Sequence, residues 1–81
     1  MTTQDWKRKK SKNPYVTHIW INEKKRLMIE IHYDIGFGKQ RNTTIYDLSD
    51  HRLSGFKDLK TFYCENEKEA MQKAMDYMRI N

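Results

Sequence analysis

Lys7, Arg8, Lys9, Lys10 and Lys12 lie within six positions of one another. Lys24, Lys25 and Arg26 form a second group, and Lys39 with Arg41 a third. Such cations neutralise phosphates and release the counterions condensed on a polyanion. Aromatic rings near them on an accessible surface hold unstacked bases by stacking. Trp20 and Phe37 are the leading candidates for that task, followed by Trp6 and Tyr15.

Other chemistry is poorly represented. The chain has no glycine-rich phosphate loop, no nucleophile-elbow serine and no Cys or His pair at metal-ligand spacing. His18 and His32 are expected on one strand face, with His51 in a loop able to approach either. A site of three histidines, or of two with Cys64, is conceivable in geometry, but scattered surface histidines are the simpler account. Cys64 precedes a helix start, where the dipole lowers a thiol pKa; a small filler at a strand end is the preferred reading. Asp47 and Asp50 flank a loop, and Glu65, Glu67 and Glu69 gather where helix capping explains them. The expectation is a protein that is not an enzyme, with no metal and no cofactor.

These side chains must be positioned by a small scaffold. A chain of 81 residues buries only about 60% of its unfolded surface, which limits it to one modest core. With 37% hydrophobic and 33% charged residues, it is polar for a globular chain but too aromatic for a disordered one. Lys and Arg number 16 against 11 Asp and Glu, a net charge of +5, and this balance favours polyanions. One cysteine and no recognisable signal peptide point to a reducing, cytoplasmic setting. No apolar run approaches the roughly 18 to 20 residues that span a bilayer.

Residues 1–14 carry most of the excess charge and end at Pro14, so they are expected as a flexible, disordered basic tail ahead of a single α+β domain at 15–81. Tyr15 to Ile21 alternate and are rich in β-branched and aromatic types, which predicts a strand. Leu27 to Tyr33 resume the alternation as its hairpin partner. Opposing Ile21 with Leu27, Ile19 with Ile29 and Trp20 with Met28 puts the Ile and Leu side in the core. The same register leaves Trp20 and Met28 as an apolar island on a polar face, with His18 near Glu30 and Val16 near His32. Gln40 to Leu48 read as a third strand, preferably with Thr44, Tyr46 and Leu48 inward and Lys39, Arg41, Thr43 and Ile45 outward. Ser49 to Gly55 read as a loop and Leu59 to Cys64 as a short edge strand. Asn66 is a good N-cap, with Glu69 placed to bond back, and Ala70, Met71, Ala74, Met75 and Met78 make one helical stripe that docks on the sheet. The predicted fold is an antiparallel sheet of three to four strands, in β-β-β-β-α order, with the C-terminal helix on one face.

This succession of a Trp-containing hairpin, a third strand and an "ENEKEAMQKAM" helix resembles two known plans by pattern. One is the three-stranded DNA-binding domain at the N-terminus of tyrosine recombinases, whose sheet enters the major groove. The other is the sheet-plus-helix plan of transcription-coactivator-like single-strand binders, which pair through their helices. No diagnostic motif is shared with either, and no residue role carries over. The function expected is a small basic regulator that binds nucleic acid, RNA or single-stranded DNA ahead of duplex, as a monomer or a homodimer. The rival expectation is a phage or mobile-element type inhibitor, antitoxin-like, docking its Trp20 and Met28 patch on an acidic protein.

Overall fold

A computed structural model describes residues 5–33, 41–52 and 55–80, the side chains of 50–52 and 55 excepted. Its strands are β1 (Trp6–Lys9), β2 (Val16–Asn22), β3 (Leu27–Tyr33), β4 (Arg41–Arg52) and β5 (Gly55–Cys64), followed by helix α1 (Glu67–Ile80). They form one antiparallel meander in the order β1-β2-β3-β4-β5. The α+β class and the C-terminal helix are as expected, but the sheet has five strands rather than three to four.

The additional strand comes from the expected tail. Trp6 is buried and meets Tyr77 edge-on, with ring centroids 6.4 Å apart. That apolar anchor docks β1 against β2, while alternation leaves the lysines in water: Trp6 and Arg8 face the helix side, Lys7 and Lys9 the other. A strand of four residues carrying lysines also makes a poor template for edge-to-edge pairing.

The β2–β3 register differs by one residue from the expected pairing. Asn22 pairs with Leu27, Ile21 with Met28, Trp20 with Ile29 and Ile19 with Glu30. The turn sets this: Asn22 Oδ1 accepts the Lys25 N–H at 3.1 Å, and Arg26 adopts a left-handed φ of 53°. A slip of one residue moves every side chain to the opposite face, so Trp20 enters the core and Ile19 and Ile21 leave it. A bulge between Val16 and His18 then restores the expected Val16–His32 pairing.

On β4 the faces are also reversed from the preferred reading. Thr43 and Ile45 are buried toward the helix, with Thr43 Oγ1 donating to the Ala70 carbonyl at 2.9 Å. Tyr46 lies on the other side, across from Met28. Arg41 does not extend into water; its guanidinium stacks on Tyr33, 3.6 Å from the ring centroid. Residues 49–52 and 55–58, expected in a loop or before a short strand, extend β4 and β5 into a long hairpin with register shifts.

The core lies between sheet and helix. Trp20, Ile29, Ile31 and Ile45 pack with Ala70, Ala74 and Met78, and Met71 and Met75 flank them as the helical stripe predicts. Fully burying Ile29, Ile31, Ile45 and Met78 contributes about 1.5–3 kcal/mol each. Asn66 Oδ1 accepts the Glu69 N–H at 2.9 Å, and Glu69 reaches back to the Glu65 N–H at 3.4 Å. Among the described residues no element packs on the opposite sheet face, where Ile19, Ile21 and Met28 stand outside the core cluster. No described helix is long and apolar enough to cross a membrane.

Candidate nucleic-acid interface

Positive charge is unevenly placed on this scaffold. Residues 5–26 hold eight Lys and Arg against two Asp and Glu, whereas residues 41–80 hold seven of each. The first segment is β1, β2 and the two connections beside them, so the net charge of the protein collects along the β1 edge of the sheet.

At one end of that edge, Arg8, Lys9 and Lys10 line a cleft of about 640 Å³ together with Ser11, Asn13, Pro14, Val16 and Thr17. Its far wall is a connection held by its own hydrogen bonds. Ser11 Oγ donates to the Asn13 carbonyl at 2.9 Å, Asn13 Oδ1 accepts the Tyr15 N–H at 2.9 Å, and the Val16 N–H bonds the Asn13 carbonyl at 3.1 Å. Pro14 adds a fixed φ. Tyr15, between two lining residues, is 52% exposed. The Tyr33 N–H donates to the Tyr15 carbonyl at 2.8 Å, which brings the Tyr33–Arg41 stack beside the same end of the sheet.

Arg8 is oriented from behind the cleft. It donates to His18 Nδ1 and lies over the Trp20 ring at 5.5 Å, while His18 Nε2 meets Glu67 Oε1 at 2.6 Å. A guanidinium has only donors, so Nδ1 is the acceptor of the Arg8 contact and Nε2 faces the Glu67 carboxylate. His18 also stacks on Trp20, with centroids 5.6 Å apart. Four side chains from two strands and the helix start thus brace one another.

The expected phosphate contacts separate accordingly. Lys7, Arg8, Lys9, Lys10 and Lys12 belong to β1 and the connection after it. In the β2–β3 turn, Lys25 and Arg26 are exposed, and Lys24 pairs with Asp5 at 3.2 Å. Arg41 sits on β4, while Lys39 and Phe37 lie outside the described residues.

The stacking role assigned to Trp20 is corrected: it is 6% exposed, with the helix face in front and Arg8 and His18 over its ring. Trp6 is buried as well. Of the four aromatic candidates, Tyr15 alone is described and exposed. The Trp20 and Met28 patch does not form, because the two lie on opposite sheet faces. Tyr33 and Tyr63 were not singled out from the sequence, yet both are exposed, Tyr63 by 75%. Their alternation was visible; the face each would occupy depended on register.

The remaining polar groups take structural parts. His18 and His32 occupy opposite faces rather than one, and His32 Nε2 meets Thr44 Oγ1 at 3.0 Å. Cys64 is buried, and desolvation, aided by Glu69, raises its thiol pKa; the filler reading describes it. The Ser49 hydroxyl and N–H bond Asp47 and lower its pKa. Tyr46 is pushed up to about 12, first by burial and then by the charges of Glu30 and Asp58. Trp6 Nε1 and Asn22 Nδ2 are buried donors with no acceptor among the described residues.

No family model, curated protein or solved structure matches the chain.

Proposed function

We propose that the protein binds single-stranded nucleic acid, RNA or DNA, and acts as a regulator by occupying it. The observation that carries this reading is the collection of the net charge along β1, β2 and the connections beside them, next to a cleft whose lining residues Pro14 and Val16 flank the exposed Tyr15 in the chain. Phosphates are attracted to the ammonium and guanidinium groups, and the exposed Tyr15 offers a ring face to unstacked bases. A duplex hides its base faces and would use the charge alone, which ranks it second. A single buried thiol suits the cytoplasm.

Fluorescence anisotropy of a labelled single-stranded oligonucleotide, titrated at several salt concentrations, tests the proposal. Saturable binding with a steep salt dependence is expected, with weaker binding to a duplex of the same length. An absence of affinity at low salt defeats the reading.

A further inference from the structure

On the sheet face opposite the helix, residues paired across neighbouring strands form transverse rows. One row runs Lys7, Ile21, Met28, Tyr46 from β1 to β4, and the next begins Lys9, Ile19, Glu30 from β1 to β3. Both change chemistry in the same order: an ammonium on the edge strand, apolar side chains inward of it, then an oxygen-bearing group. Strands are spaced about 4.8 Å apart, so roughly 10 Å separates the lysine column from the column of Glu30. A nucleotide has its own matching order of anionic phosphate, flat base and polar base edge.

Glu30 is the distinguishing group. Among the described residues no cation pairs with it, and it sits on β3 close enough to Tyr46 of β4 for its negative charge to help raise that hydroxyl's pKa. Ionised, it only accepts, and it repels phosphate, so a bound strand would keep its backbone over Lys7 and Lys9. The bases would then lie over Ile19, Ile21 and Met28 and present their edges to an acceptor.

We propose that Glu30 reads the edge of an unstacked base, so that this face prefers strands whose bases carry an exocyclic amino group. The inference deepens the proposed function and rests on it. Cytosine and uracil make the sharpest comparison, because cytosine has an amino donor where uracil has a carbonyl oxygen that a carboxylate repels.

Labelled oligocytidylate and oligouridylate of equal length, titrated against the intact protein, supply the test. The expected result is at least about fivefold tighter binding of oligocytidylate, the lower end of what one good base contact provides. Glu30→Gln, whose amide both donates and accepts, should abolish the preference while leaving the salt slope unchanged. Equal wild-type affinities, or a preference surviving in Glu30→Gln, overturn the inference. If both strands bind alike with steep salt dependence, the polyanion reading stands and base reading falls; if neither binds at low salt, both fall. Should the variant lose its cooperative thermal transition, the wild-type comparison decides alone.

Discussion

Replacing Lys7, Lys9 and Lys10 together with Gln removes three cations while keeping their aliphatic stems. Lys7 and Lys9 point to the same side of β1, about 6.7 Å apart, and Lys10 follows in the cleft. All three are exposed, and none is in an ion pair among the described residues, so the substitution leaves the core untouched. Each phosphate contact on a single strand contributes about 0.7 to the slope of log affinity against log salt, so three contacts account for about 2. Between about 50 and 200 mM salt the wild type should therefore lose about 18-fold more affinity than the triple variant. Anisotropy titrations across that range measure both slopes. Replacing Lys68 and Lys73 on the helix provides the control, because the helix lies across the sheet from Lys7 and Lys9. Equal slopes for wild type and triple variant, or the same loss from the helix pair, refute the placement of the strand along β1.

Asn66→Ala removes the bond to the Glu69 N–H and should cost about 1 kcal/mol, lowering Tm in a domain of this size by about 4–8 °C in a calorimeter. Trp6→Phe keeps a ring against Tyr77 and deletes a buried N–H that has no acceptor among the described residues. Its Tm should stay level or rise, whereas Trp6→Ala should cost about 3–5 kcal/mol; a large loss in the Phe variant would mean that the indole N–H is partnered. Burial and the Glu30 and Asp58 carboxylates hold the Tyr46 proton in the folded state up to about 12. The corresponding stability is complete below the unfolded tyrosine value of about 10 and is lost as pH rises through about 12. Denaturant midpoints measured across that alkaline range should fall less steeply in Tyr46→Phe than in wild type.

The sequence by itself determined what local rules can reach. Asn66 with Glu69 marks the helix start because capping involves neighbours in the chain, and Ala70, Ala74 and Met78 recur at the helical period whatever lies opposite. Strand alternation in β2 and β3 was equally local, as was the cationic character of residues 7–12. Which side of each strand faced inward was not, since it depends on pairing. Shifting Ile21 from Leu27 to Met28 exchanged Trp20 for Ile19 and Ile21 between core and surface, and no periodicity within one strand records that choice. Likewise, the docking of Trp6 on Tyr77, far apart in sequence, converted an apparent tail into β1. Tertiary structure decided the interface for one physical reason: a period of two makes either face of a strand available, and only the burial gained against distant partners selects between them.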